Sequence, residues 1–273
     1  MSSPKISVIM SVFKTDIGWL KQSISSILGQ TFSDFEFIII NDSINDSDIE
    51  RVLNFYKKRD KRVILVKNKK NIGLTKALNV GLGLAKGKYI ARMDADDISF
   101  PDRLGKQFNY LEAKNNIFLI GSHINFINET GKKIGEKRLP LNSQVIKKTL
   151  EKRNCLCHPL IMFRNFRMFY REKFYYAQDY DFYLRLISQG KNIVNYPETL
   201  LNFRVSENSI SSNKFRQQVY FAYFAKKFYQ QRILLGKDRY SEFHSHLILD
   251  NKVIIPGAEF MFIKKKLRRF LIL

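Results

Sequence analysis

Cysteine is nearly absent: the chain has two in 273 residues, Cys155 and Cys157. At that spacing they cannot staple distant segments, so a disulfide framework is excluded and a reducing cytosol fits. With His158 they spell Cys-x-Cys-His, but no second ligand pair stands at finger-like spacing, which argues against zinc. Acidic residues are scarce as well: 25 stand against 47 lysines and arginines, for a net charge of +22. An imbalance of that size predicts attraction to polyanions: nucleic acid, an anionic membrane face or phosphorylated substrates. No apolar run approaches the ~18 to 20 residues of a membrane span. The N-terminal apolar run, residues 6–13, lacks a signal-peptide layout and reads as a strand. P-loop, HExxH and nucleophile-elbow patterns are missing. Gly81-x-Gly83-x-x-x-Gly87 mimics a dinucleotide fingerprint, but it leads from a helical pattern into a strand, the reverse of the required order.

What is present is a core: 45% of residues are hydrophobic and 14% aromatic, enough for one large α/β domain. The first half alternates strand and helix patterns. Strands are expected at 6–13, 35–40, 63–66 and 89–93. Helices are expected between them, around Trp19, Ile24, Ile27 and Leu28 and at 46–58 and 71–85, and after Pro101 to about residue 114. Repeated βα units imply a parallel sheet with helices on both faces. The second half is less regular, with strand-like stretches at 117–127 and 193–203 and helical ones at 143–153 and 178–188. From about residue 212 it becomes helical and rich in aromatics.

The most informative feature is Asp94-Ala95-Asp96-Asp97 at the end of the fourth strand. Carboxylates this close repel one another, and a hard divalent cation is the usual remedy. A plain turn is the competing reading, since Asp is common after strands. The first strand ends at Phe13 and the second at Asp42, and in a parallel sheet such ends share one edge. An aromatic, a carboxylate and a metal site together would make a nucleoside-diphosphate pocket. Taken singly, Phe13 reads equally as core packing and Asp42 as a turn cap.

Several strings carry a family resemblance. They are Ser7-Val8-Ile9-Met10-Ser11-Val12-Phe13, Ser26-Ile27-Leu28-Gly29-Gln30-Thr31-Phe32, Phe37-Ile38-Ile39-Ile40-Asn41-Asp42, Asn71-Ile72-Gly73-Leu74-Thr75-Lys76-Ala77-Leu78-Asn79 and Ala91-Arg92-Met93-Asp94-Ala95-Asp96-Asp97, followed by Pro101-x-Arg103-Leu104 and Gln107. Together they resemble the family-2 glycosyltransferases of the GT-A fold, in particular the bacterial enzymes that build O-antigens, capsules and lipopolysaccharide. The resemblance implies a GT-A type α/β fold, with a mostly parallel central sheet, helices on both faces and a helical C-terminal appendage. It places a glycosyltransferase domain at 1–211, with a nucleotide-sugar half (1–115) and an acceptor half (116–211), and a basic helical appendage at 212–273.

By position, Phe13 matches the residue that lies against the nucleobase and Asp42 the carboxylate that binds it. Asp94 matches the acid that contacts ribose, and Asp96 the ligand of Mn²⁺ or Mg²⁺. Lys76 and His158 fall in strings on the substrate side. Gln178-Asp179-Tyr180-Asp181 matches the Glu-Asp-x-Asp string, which makes Asp179 the catalytic base. The residues alone would read Asp179 as a helix N-cap. Two departures stand out. Gln178 replaces a glutamate, and Phe203-Arg204-Val205-Ser206 replaces Tyr-Arg-x-His, so a serine stands where a histidine often helps to hold the metal.

The implied activity is inverting transfer of a hexose or N-acetylhexosamine. The donor would be a nucleotide-sugar, with UDP-sugars first, and the acceptor a lipid-linked surface glycan. The implied location is cytoplasmic, peripheral on the inner face of the cytoplasmic membrane. The basic, aromatic stretch 260–273 suits an anionic membrane surface; a terminal helix with a solvated cationic face is the alternative. Two other classes remain. A nucleic-acid-binding protein would explain the charge, but no nucleic-acid motif appears. A nucleotidyltransferase would share the carboxylates, but Ser11-Val12-Phe13-Lys14-Thr15-Asp16 lacks the Gly-rich loop.

Overall fold

The computed structural model describes residues 3–206, 214–250 and 254–270, the last seven of these by backbone alone. The stretch 260–273 therefore lies largely outside the described side chains. The chain forms two compact units, one of Met1–Phe169 with Lys191–Ser206 and one of Tyr170–Gly190 with Glu207–Leu273.

In the first unit, aliphatic runs become inner strands because both of their faces find a helix to cover them. Strands β1 (Ile6–Val12), β2 (Phe35–Asn41), β3 (Val63–Lys67) and β4 (Tyr89–Asp94) alternate with helices α1 (Ile17–Leu28), α2 (Ser47–Arg59) and α3 (Leu74–Leu84). The four strands pair in parallel in the order β3-β2-β1-β4. Alternation decides the faces. Ile6, Val8, Met10, Phe35, Phe37 and Ile39 share a core with Leu20 and Ile24 of α1 and Ile49 and Leu53 of α2. Ile38 and Ile40 point the other way, onto Ala77 of α3. The sheet continues with strands of mixed direction, β5 (Ile98–Ser99), β6 (Ile117–Ile127), β7 (Lys133–Lys137), β8 (Met162–Arg164) and β9 (Asn192–Arg204), with helix α4 (Arg103–Ala113) between β5 and β6 and helix α5 (Ser143–Leu150) between β7 and β8. β8 pairs antiparallel with β4 and β6, and β6 runs parallel to β9. The result is the mixed α/β architecture expected of the GT-A fold.

Helix ends differ from the periodicity in informative ways. α3 begins at Leu74, three residues later than expected, because Gly73 sits at φ 81° and the amides of Ile72 and Gly73 are bound elsewhere. α4 begins at Arg103, with Pro101 ahead of it. The Pro101 carbonyl accepts the Thr31 amide at 2.9 Å. The string around Gln30 is a splice: its side-chain amide donates to the Phe100 carbonyl at 2.6 Å and its oxygen accepts the Leu104 amide at 2.9 Å. Arg103 is fully buried and donates to the Arg92 carbonyl at 2.6 Å and to Gln107 at 3.2 Å. Burial lowers its pKa to about 9, still charged at neutral pH.

The second unit is helical: α6 (Gln178–Ser188), α7 (Phe215–Leu235), the single turn α8 (His246–Leu249) and α9 (Pro256–Phe270). Phe174 is its aromatic centre, with rings of Phe221, Phe228 and Phe243 within 6.1 Å. α7 ends on Gly236 in the left-handed conformation, φ 70°, a favoured stop for a helix. Among the described residues, no helix is long and apolar enough to cross a membrane.

The two outer glycines of the rejected fingerprint have packing roles. A Cβ on Gly81 would meet Ile9 Cγ2 at 2.5 Å, and one on Gly87 would meet the Ser7 amide nitrogen at 2.4 Å. Gly83 meets nothing within 4 Å. Gly87→Ala should therefore destabilise by about 1–3 kcal/mol through overpacking, while Gly83→Ala should stabilise by about 0.4–1 kcal/mol. Urea unfolding of the two variants checks the pair; the opposite order would contradict this packing.

Candidate functional site

Strand register gathers the candidate residues at one sheet edge. Val12 lies opposite Asn41, and Ser11 opposite Asp94. Phe13, Asp42 and the Asp94–Asp97 turn therefore leave three adjacent parallel strands at the same end, where open α/β sheets bind ligands. Phe13 leaves its ring 47% exposed, so it is not core packing. Lys14 follows with φ 47°, a conformation L-residues rarely adopt, and strain of this kind concentrates at ligand sites. β8 runs back along β4, and the Arg92 amide donates to the Ile161 carbonyl at 3.0 Å. That register brings the His158–Leu160 turn beside the carboxylate end of β4. Burial and the Arg92 charge hold the His158 imidazole well below its ordinary pKa, so it is neutral there. Lys76 lies exposed in the first turn of α3.

The acidic turn carries the strongest electrostatics. One ligand atom from each of Asp94, Asp96 and Asp97 falls within 4.8 Å of the others. Burial, then the Asp94 charge, raises the Asp96 pKa to about 6. Asp97 is buried completely and pushed well above the carboxylate range, by desolvation first and by Asp96 and Asp94 next. One of its oxygens accepts the Arg204 amide at 2.8 Å, and Oδ2 is buried with no hydrogen-bond partner. Hard oxygen donors that remain too negative for their surroundings suit a divalent cation.

Two arginines that sequence reading passed over supply part of the countercharge. Arg92 is buried in β4 and pairs with Asp94. Arg204 is buried at the end of β9. Its guanidinium donates to the carbonyls of Asp96, Asn128 and Glu129, each at 2.9 Å, and to Gln22 at 2.7 Å. It also lies 5.0 Å from the Trp19 ring centre. Arg204 thus ties the acidic turn to α1 and to the β6–β7 turn. Ser206, at the family's histidine position, is half-buried just beyond it.

Asp42 is 1% exposed. Its carboxylate accepts from Asn68 at 2.8 Å, Asn71 at 3.0 Å, the Ile72 amide at 3.0 Å and the Gly73 amide at 2.9 Å. The side chain therefore organises the loop before α3 as well as lying at the shared edge.

Asp179 belongs to the second unit. It stands in the first turn of α6, not at its cap: the cap position is Ala177, which has no side-chain bond and sits at φ 55°. An acid in a first helical turn is favoured by the helix dipole. The helix is held by a buried ion cluster. Asp181 is fully buried and bound by Arg185 at 3.0 Å, with Arg171 at 3.7 Å; Arg171 also reaches Asp238 at 2.7 Å, and Arg232 pairs with the same carboxylate.

Known proteins similar to this chain point to one family and one fold. Residues 7–176 match the family described as Glycosyl transferase family 2. The chain is 36% identical over 231 residues to an uncharacterized glycosyltransferase of Methanocaldococcus jannaschii, covering 83% of this chain and 80% of that one. It is 37% identical over 256 residues to the O-antigen biosynthesis glycosyltransferase WbnJ of Escherichia coli, covering 92% and 96%. Among solved structures, S. aureus TarS 1-349 in complex with UDP-GlcNAc superposes with a TM-score of 0.63 at 17% identity, covering 90% of this chain and 70% of that one. This chain spans only 42% of the longer TarS chain.

Two expectations follow from the turn. Calorimetric titration with Mn²⁺ should show one site, lost in Asp96→Asn; equal binding by both proteins contradicts an ion on Asp96. Arg204→Lys cannot reach all four of its acceptors, and should cost about 1–3 kcal/mol in urea unfolding; an unchanged midpoint would show that the guanidinium network is dispensable.

Proposed function

The chain belongs to glycosyl transferase family 2, and from that premise we propose that it moves a hexose or N-acetylhexosamine from a UDP-sugar to a hydroxyl of a lipid-linked surface glycan, with inversion. The observation that carries this reading is the register that brings Phe13, Asp42, Asp94 and Asp96 to one sheet edge. The UDP-GlcNAc bound to the fold neighbour TarS and the O-antigen role in the name of WbnJ support the donor and acceptor classes.

In this reading the exposed Phe13 ring offers a face to the base, and Asp42 sets the base side through its carboxylate and the loop it holds. Asp94, oriented by its ion pair with Arg92, accepts from ribose. His158 stays neutral and serves as a hydrogen-bonding group, and Lys76 supplies a cation on the substrate side. Asp96, with Asp94 beside it, would hold Mn²⁺ or Mg²⁺. Such an ion, when bound, offsets negative charge on a diphosphate.

Asp179 accepts the proton of the acceptor hydroxyl. The acceptor oxygen bonds to the anomeric carbon as the bond from that carbon to the diphosphate oxygen breaks, so configuration inverts in one displacement. The neighbouring Gln178 is uncharged, so Asp179 works without the second carboxylate common at that position. The +22 charge supports a place at the inner face of the cytoplasmic membrane, where a lipid-linked acceptor is anchored.

General-base assistance is worth about 10²- to 10⁴-fold. Asp179→Asn should lose turnover within that range while keeping its affinity for the donor. Initial rates of UDP release, with donor affinity measured in parallel, check this; a variant that turns over at the parent rate removes Asp179 from the reaction.

A further inference from the structure

The transfer reading makes no use of a cavity of about 420 Å³ inside the second unit, a size typical of small-molecule sites. Its polarity is graded. Phe228, Phe243 and Ile248 line it and are buried, whereas Lys227, Arg239 and Glu242 line it and are exposed. Arg239 faces Glu242 at 4.0 Å, so with Lys227 the charged liners carry a net positive charge. An apolar interior with a cationic mouth complements one kind of molecule, an amphiphile with an anionic head.

A second observation points the same way. Phe224, Phe228 and Gln231 line the cavity from α7, and their spacing continues to Leu234 and Leu235 on the same helical face. Leu234 and Leu235 are 80% and 65% exposed, in the last turn before Gly236 and Lys237. The face that walls the cavity thus runs on into bare aliphatic side chains followed by Lys237. Exposed apolar patches of this kind mark interaction surfaces, and Lys237 beside the leucines, with Lys227 earlier on α7, favours a negatively charged one.

We propose that the cavity takes the hydrocarbon chain of an anionic membrane lipid, with the lipid phosphate at Lys227 and Arg239 and with Leu234 and Leu235 seated in the bilayer interface. The proposal rests on the membrane placement offered above and is independent of the transfer chemistry. Calorimetry of the full chain with dodecyl phosphate, below its micelle concentration, tests the cavity without a membrane. One site per chain is expected, with inorganic phosphate and octyl glucoside not bound. The double variant Lys227→Glu/Arg239→Glu, altered at exposed positions only, should bind dodecyl phosphate more weakly by about tenfold or more.

Leu234→Glu/Leu235→Glu should keep dodecyl phosphate binding but lose sedimentation with vesicles of equimolar phosphatidylglycerol and phosphatidylcholine. The cavity proposal is overturned by no binding of dodecyl phosphate, or by equal binding in the lysine–arginine variant. The bilayer seat is overturned by undiminished sedimentation of the leucine variant, or by light scattering that shows a dimer dissociated by that variant. Hydrolysis of UDP-sugars by both variants should match the parent chain, and it reports separately on the transfer chemistry.

Discussion

Everything at the sheet edge depends on keeping negative charge in a turn that is largely buried. Three carboxylates leave β4 within four residues, and the fold answers with two arginines from different parts of the chain. Arg92, from the same strand, neutralises Asp94. Arg204, from β9, braces the backbone of Asp96 and the side chain of Asp97. The compensation is incomplete: burial and mutual repulsion still lift Asp96 to about 6 and hold Asp97 well above the carboxylate range. The repulsion that is left is the kind that a divalent cation would relieve. That balance links packing to chemistry, because the same burial that raises the pKa values also strengthens any ion–carboxylate contact.

Much of this was legible in the sequence because it is local. Short aliphatic runs ended by Asp or Asn gave the strands and their ligand edge, and α6 was readable to its ends, 178–188, from period and polarity. What stayed hidden was long-range. Nothing in the order of residues says that Arg204 will reach Gln22, 182 positions away. Asp42 illustrates the limit from the other side. Its position at a strand end was plain, but its engagement with Asn68, Asn71 and two loop amides depends on a loop that only folding brings near. Similarly, residues 170–190 join the C-terminal helices in space although they precede β9 in sequence.

The second unit solves a related problem with a different outcome. Asp181 and Asp238 share Arg171, and Arg185 and Arg232 close the group. Removing one member of such a cluster would strand a buried charge, which is far more costly than the cluster is stabilising. It therefore fixes α6 firmly, and with it the turn that presents Asp179 two residues before Asp181. A strained residue, Ala177 at φ 55°, sits just ahead of that turn, as Lys14 sits just after Phe13. In both places the chain accepts an unfavourable backbone conformation beside a residue assigned to substrate or reaction.

The central claim is that the acidic turn is the point at which an ion meets a nucleoside diphosphate. Crystals grown with Mn²⁺ and UDP, with diffraction measured at the manganese absorption edge, test it most directly. The account predicts one anomalous peak against the Asp96 carboxylate, with the UDP diphosphate beside it and the uracil near Phe13. UDP bound at the sheet edge with no anomalous peak at Asp96, or the ion held elsewhere, would contradict it.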